Sequence, residues 1–146
     1  MQRRVTVAFA VLLTLTFACS DSVGPEERAL DGPWSTGHAL IGLGMALNLT
    51  WTRDRVSGSG GFSVPSPNIH CGTATISGAG TVVLTATRSS RTDIRGELKF
   101  GDGPPITYQG TLIDTLSVSG FARVQGDLVG PDGTRCGLTL FQGLVP

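Results

Sequence analysis

The sequence is poor in charged residues, aromatic residues and histidine. Charged residues make up 15% of the 146 positions, aromatic residues make up 6%, and there are only two histidines. Eleven basic residues balance eleven acidic ones, and no stretch gathers the basic residues into a cluster. Because a nucleic-acid-binding surface needs such a cluster to neutralise phosphates, we expect no nucleic-acid partner.

The signatures of common catalytic and metal sites are also missing from the sequence. It contains no P-loop, nucleophile elbow, H-E-x-x-H, EF-hand loop or C-x-x-C. We therefore expect no catalysis, no metal site and no cofactor. Four aspartates fall in predicted turns, where hydrogen bonds to the backbone explain them: Asp54, Asp102, Asp114 and Asp132. A hydrolase-type enzyme stays open as an alternative if His38 or His70 lies within hydrogen-bond reach of a carboxylate and a serine.

The chain from Trp34 onward alternates apolar and polar residues with a period of two, and no segment of ten or more residues has a helical period. One face of a predicted strand carries Met45, Leu47, Leu49 and Trp51. Similar sets recur with short connections between them, and short connections require antiparallel neighbours. The pattern predicts an all-β domain of about eight strands. Between Ile69 and Gly78 the alternation changes parity, which a bulge near Gly72 would explain.

A short pattern of apolar residue, polar residue and glycine recurs along the predicted strands. Examples are Val56-Ser57-Gly58, Ile94-Arg95-Gly96, Tyr108-Gln109-Gly110 and Val124-Gln125-Gly126. Each glycine lies on the same face of its strand as the apolar residue two positions earlier. Its missing side chain lets a sheet coil tightly or lets a bulky neighbour fill the space. This pattern favours a small antiparallel up-and-down β-barrel, with a two-sheet β-sandwich as the runner-up.

The N-terminal segment is typical of an export signal. The basic residues Arg3 and Arg4 are followed by an uncharged apolar stretch from Val5 to Ala18. As a helix this stretch spans about 21 Å, whereas a bilayer core requires roughly 20 apolar residues. Its length and the small residue at its end therefore favour a cleaved signal peptide over residues 1–18.

Residues 16–19, in which Cys19 directly follows the small residue Ala18, resemble the lipobox of bacterial lipoproteins. The resemblance implies that Cys19 becomes the lipidated first residue of the mature protein, which is thereby anchored in the membrane of the cell envelope. Ser20 after that cysteine implies sorting to the outer membrane, facing the periplasm. Residues 19–33 are polar and contain Gly and Pro, so we expect a lipidated N-terminus and a flexible tether there, followed by the β domain over residues 34–146.

The two other cysteines form an even pair once Cys19 is assigned to lipid. In an exported domain, Cys71 and Cys136 indicate a disulfide. The alternatives are two free buried thiols or a metal pair. A disulfide would close a loop of about 65 residues and contribute about 4 kcal/mol in the chain-entropy model.

The residues Gly32-Pro33-Trp34 resemble the G-x-W motif that opens the barrels of lipocalins and avidins. The resemblance implies that Trp34 plugs one end of the barrel and that the interior binds a small apolar ligand. In those families a basic residue of the last strand usually covers the tryptophan, but Arg135 begins the last predicted strand, far from Trp34. A ligand cavity would be lined by six residues: Trp34, Met45, Leu47, Trp51, Tyr108 and Leu116.

The expected function combines these features. The alternation along the mature chain is similar to that of small uncharacterised β-rich bacterial lipoproteins. We expect a membrane-anchored envelope lipoprotein with a structural role, or one that binds an envelope protein or the cell wall. A barrel that binds a small apolar ligand is the alternative.

Overall fold

The computed structural model describes residues 29–36, 42–65, 67–113 and 122–143. The predicted signal peptide, Cys19, His38, Asp114 and Leu116 lie outside these residues. Within the described ranges the strands are β1 (Gly32–Thr36), β2 (Gly44–Trp51), β3 (Arg55–Ser63), β4 (Ile69–Cys71), β5 (Ala74–Ile76), β6 (Ala79–Arg88), β7 (Asp93–Phe100), β8 (Ile106–Ile113), β9 (Arg123–Val129) and β10 (Arg135–Gln142).

Eight of these strands form a closed antiparallel barrel in the order β1-β10-β9-β8-β7-β6-β3-β2. The barrel closes through β1, in which Trp34 lies opposite Gln142 of β10 on one side and Leu47 of β2 on the other. The all-β prediction and the up-and-down barrel are confirmed, and the sandwich is wrong. Closure leaves none of these strands with an unpaired edge that could add to another chain. No helix in the described part of the chain is long and apolar enough to cross a membrane.

Strands β4 and β5 form a separate two-stranded hairpin between β3 and β6. The change of parity expected from a bulge near Gly72 is produced instead by a tight turn, in which Gly72 has a φ of 60°. A bulge and a turn both shift the alternation, so parity alone could not separate them. The hairpin turns its buried residues toward the core of the barrel: Ile69, Cys71, Ala74 and Ile76.

The alternation predicted for β2 is present residue by residue. Met45, Leu47, Leu49 and Trp51 are buried, while the residues between them are exposed. The other barrel strands contribute the same kind of inward row, and together these side chains form one apolar cluster. Full burial of each such side chain stabilises the fold by about 1.5–3 kcal/mol relative to an exposed position, so the barrel is held together mainly by its filled interior.

The recurring glycines share the inward-facing side of their strands with the buried apolar residues, as the pattern predicted. A side chain on Gly126 would collide with the backbone of Gln109 and would lie 2.9 Å from the Tyr108 ring. The ring occupies that space, and its hydroxyl donates a hydrogen bond to the backbone oxygen of Leu138 at 3.2 Å. Gly126 therefore lets one aromatic ring reach across β9 to β10.

The domain begins earlier in the chain than predicted. Strand β1 starts at Gly32, and Leu30 is buried in the core cluster. The Gln142 amide donates a hydrogen bond to the backbone oxygen of Ala29 at 2.6 Å. Residues 29–33, which the sequence predicted as part of the tether, belong to the barrel domain, because the Leu30 side chain is buried in the core and hydrogen bonds to backbone oxygens of this segment connect it to the barrel.

Candidate functional site

The residues proposed to line a ligand cavity all come together in the barrel interior, apart from Leu116, which lies outside the described residues. Trp34, Trp51 and Tyr108 are 0% exposed, and Met45 and Leu47 are almost as fully buried. The rings of Trp34 and Trp51 pack with centroids 5.4 Å apart. These side chains belong to the apolar cluster that fills the barrel, so packed side chains occupy the space that a ligand would need.

One end of the barrel, here called the tryptophan end, carries the β2–β3 turn (52–54), the β6–β7 turn (89–92) and residues 29–31. The indole N–H of Trp34 donates to the backbone oxygen of Leu30 at 2.9 Å. The backbone N–H of Trp51 donates to the Asp31 carboxylate at 2.7 Å. The Arg88 guanidinium lies 5.7 Å from the centre of the Trp51 ring, close enough for a cation–π interaction. These contacts hold Leu30, Asp31 and the Arg88 side chain against the two tryptophans.

The arrangement at the tryptophan end agrees only partly with the G-x-W pattern. Trp34 is buried at the end of the barrel, but the basic residue is Arg88 of β6 and it covers Trp51. Arg135 pairs with Val129, whereas Gln142 at the other end of β10 pairs with Trp34. The Arg88 side chain also donates to the backbone oxygen of Thr52 at 2.6 Å, which binds it to the β2–β3 turn.

The opposite end, here called the hairpin end, is covered by the β4–β5 hairpin. A disulfide joins Cys71 to Cys136, with Cα atoms 5.8 Å apart, which confirms the predicted pair. The Asp132 carboxylate accepts hydrogen bonds from the backbone and the hydroxyl of Thr134 at 3.1 and 3.0 Å. These bonds, with a further one from the Thr73 backbone, hold the pKa of Asp132 below its ordinary value. The aspartate thus links the hairpin to the β9–β10 turn.

A groove with a volume of about 1130 Å³ lies on the outer face of β7, β8, β9 and β10. Strand register arranges its outward-facing residues in two rows that cross the four strands. The row nearer the tryptophan end is Asp93, Thr111, Gln125 and Thr139. The row nearer the hairpin end is Arg95, Gln109, Asp127 and Gly137. Because neighbouring strands lie about 4.8 Å apart, each row is about 14 Å wide. These two rows are called the polar face below.

The carboxylates of the polar face are held by neighbouring side chains. Asp93 accepts hydrogen bonds from the hydroxyls of Thr111 at 3.1 Å and Ser90 at 3.0 Å. Asp127 accepts two hydrogen bonds from the Arg135 guanidinium, at 3.0 and 2.9 Å. Each carboxylate thus accepts two hydrogen bonds, and the two lie on either side of the centre of the face.

The centre of the polar face carries side chains with unused hydrogen-bonding groups. The amides of Gln109 and Gln125 and the hydroxyl of Thr139 make no hydrogen bond to the described part of the chain. The floor beneath them includes the backbone of Gly110 and Gly126, which pair directly with each other. The sequence alone did not predict this face. Its signal was the polar half of the alternation, but only the strand register shows which polar residues become neighbours.

One of the two histidines, His70, lies among the residues that the structure describes. His70 is exposed on β4, with its Nδ1 atom 3.1 Å from the Thr75 hydroxyl oxygen. Among the described residues, no three His, Cys, Asp or Glu side chains are grouped so that they could hold a metal ion.

Comparison of the chain with protein-family models, curated proteins and solved structures gave no match.

Proposed function

We propose that this protein is a lipid-anchored lipoprotein of the bacterial envelope that acts through the outer surface of a closed barrel. The observation that carries the surface role is the packing of the described residues: apolar side chains fill the interior, Trp34 and Trp51 pack together near one end, and the β4–β5 hairpin packs at the other. A ligand site inside would require many buried contacts to open. The polar groove lies outside, where a partner can reach it.

The anchor is supported by the order of residues at the N-terminus and by the pairing of the other cysteines. An apolar stretch without charge leads to Ala18 and Cys19. Cys71 and Cys136 are joined to each other, so Cys19 is the one cysteine left for lipid. Ten residues, 19–28, separate the lipid from the barrel domain and span at most about 35 Å. We place the protein on the outer membrane facing the periplasm, where the barrel reaches partners close to the membrane.

The proposal is tested by removing the lipid-bearing thiol in the full-length protein. Cys19→Ser is expected to abolish incorporation of a labelled fatty acid and to shift the protein out of the membrane fraction or block its maturation. Ser20→Ala is the matched control and is expected to stay labelled and membrane-bound. Unchanged labelling and membrane attachment of Cys19→Ser would show that the proposed anchor is wrong.

A barrel that binds an apolar ligand is the second candidate. It is favoured by the eight-stranded closed topology and by Trp34 at one end. It requires that a ligand displace interior side chains that now contact one another.

A further inference from the structure

We propose that the polar face binds an uncharged glycan strand that carries acetamido groups, such as the glycan of the cell wall. This inference rests on the proposed function, because it assumes that the tethered barrel works through its outer surface. Its basis is that the amides of Gln109 and Gln125 and the Thr139 hydroxyl lie together with Asp93 and Asp127 in one groove of the barrel wall, and that these amides and this hydroxyl make no hydrogen bond within the described part of the chain.

The free groups of the face match the hydrogen-bonding pattern of such a glycan. Each side-chain amide of Gln109 and Gln125 offers one acceptor oxygen and an NH₂ donor. An acetamido group has the complementary N–H and C=O, so it can pair with such an amide through two hydrogen bonds. Thr139 and the carboxylate of Asp127 can bind sugar hydroxyls in the same rows.

The charge on the face favours a neutral ligand. Among the described residues that line the groove, Asp93 and Asp127 are balanced by Arg95 and Arg135, and Asp127 forms an ion pair with Arg135 at 2.9 Å. A polyanion would require an excess of basic residues, since neutralising phosphates drives its binding. Uncharged hydroxyls and amides need no such excess, because fixed donors and acceptors of both kinds are enough.

The centre of the face differs from the centre of most protein interfaces, which contains buried aromatic anchors. Here the centre is made of amides, hydroxyls and glycine backbone, and the apolar side chains of Ile113 and Phe141 stand at the tryptophan-end margin of the groove. A single aromatic ring beside polar rows suits the apolar C–H side of a sugar, while the polar rows bind its hydroxyls.

Gly137 offers a way to block the groove without disturbing the fold. A Cβ atom on Gly137 would meet no atom within 4 Å, so a side chain there enters open space beside Asp127. Gly61 on β3, on another part of the barrel wall, is a matched control, since a Cβ atom there would meet only the Gly80 oxygen at 3.8 Å. Phenylalanine at either position adds the same volume to an outward-facing strand position.

The experiment is calorimetric titration of the full-length protein, in detergent micelles, with the β-linked tetramer of N-acetylglucosamine. We expect saturable binding to the wild type and to Gly61→Phe, and at least tenfold weaker binding to Gly137→Phe. Gln125→Ala is expected to weaken binding about fivefold to tenfold, the cost of one or two hydrogen bonds to the ligand. Thr85→Ala, on the outer side of β6, is the control for side-chain truncation and should bind like the wild type.

Three results would overturn the inference. Equal affinities of Gly137→Phe and Gly61→Phe would show that the glycan binds elsewhere. Absence of binding of the tetramer to the wild type would exclude this glycan. If the wild type bound the peptide part of the cell wall but not the tetramer, the ligand would be a peptide and not a glycan. The fatty-acid labelling of Cys19 is measured separately, so failure of glycan binding does not count against the lipid anchor.

Discussion

Tyr108 is the single tyrosine of the chain, so its ionisation can be followed without interference. Burial of the ring raises its pKa well above the ordinary value of 10.0, and the negative charge of Asp127 acts in the same direction. The unfolded chain ionises near pH 10 while the folded protein keeps the phenol protonated. The stability linked to this group is therefore complete below pH 10 and is lost as the pH rises beyond it.

Ultraviolet absorbance of the phenolate tests this at the level of one residue. We expect no phenolate signal around pH 10 in the native protein, and its appearance at higher pH together with loss of the far-ultraviolet circular dichroism of the barrel. Tyr108→Phe should lose the added alkaline sensitivity and about 1 kcal/mol of stability, because its hydrogen bond to Leu138 is gone. Reversible ionisation near pH 10 with the fold intact would show that the ring is accessible to water.

Two glycines on adjacent strands differ in the room that the structure leaves for a side chain, so replacing each of them by alanine shows how much close packing contributes to stability. Gly126→Ala should destabilise the protein by about 1–3 kcal/mol, because the methyl group would press on Gln109 and on the Tyr108 ring. Gly137→Ala, with open space around its Cβ position, should leave stability unchanged or slightly increase it. Urea unfolding of both variants measures the difference, and equal losses would contradict the close contact at Gly126.

At the level of elements, the β4–β5 hairpin is the one part of the described β structure that is not a barrel strand. It is held by the Cys71–Cys136 disulfide, by Asp132 and by its buried apolar residues. Gly130 of the β9–β10 turn lies so close to the Cys71 backbone oxygen that no side chain would fit there. The hairpin is therefore fastened to the turn between the last two strands, far from its own neighbours in sequence.

Removal of this disulfide should weaken the whole barrel. The bond joins residues 65 positions apart, so its loss should cost about 4 kcal/mol in the chain-entropy model. Replacing both cysteines, Cys71→Ser with Cys136→Ser, gives the variant, and its urea midpoint is compared with that of the wild type under oxidising and reducing conditions. The urea midpoint of the double variant should not change when reductant is added. Equal midpoints of the wild type in both conditions would contradict a stabilising role, provided that thiol titration confirms reduction.

The elements that could be predicted from the sequence are those decided by local pattern. Alternation identified the buried face of β2, and the even pair of cysteines identified the disulfide. The polar face could not be predicted, because Gln109 and Asp127 become neighbours only through the register of β8 against β9. The same holds for Arg88 over Trp51, since their contact depends on which strands lie together around the barrel.

At the level of the whole molecule, the closure of the barrel by eight strands and the filling of its interior by side chains are linked. Eight strands make a barrel whose interior is just wide enough for side chains to fill it, and here large residues lie beside inward glycines of neighbouring strands. Leu84 is fully buried and pairs with Gly58 of β3 on one side and with Leu98 of β7 on the other. A filled interior implies that apolar compounds find room only where a side chain is removed.

Leu84→Ala makes this implication measurable. The variant should lose about 2–5 kcal/mol of stability through the cavity it creates, and benzene should raise its melting temperature, because a ligand that binds the folded state alone stabilises it. The melting temperature of the wild type should not respond to benzene or to longer apolar compounds at the same concentrations. A dose-dependent rise in the wild type would show that its interior opens to ligands, and the apolar-ligand barrel would then replace the surface-binding lipoprotein as the better account of this fold.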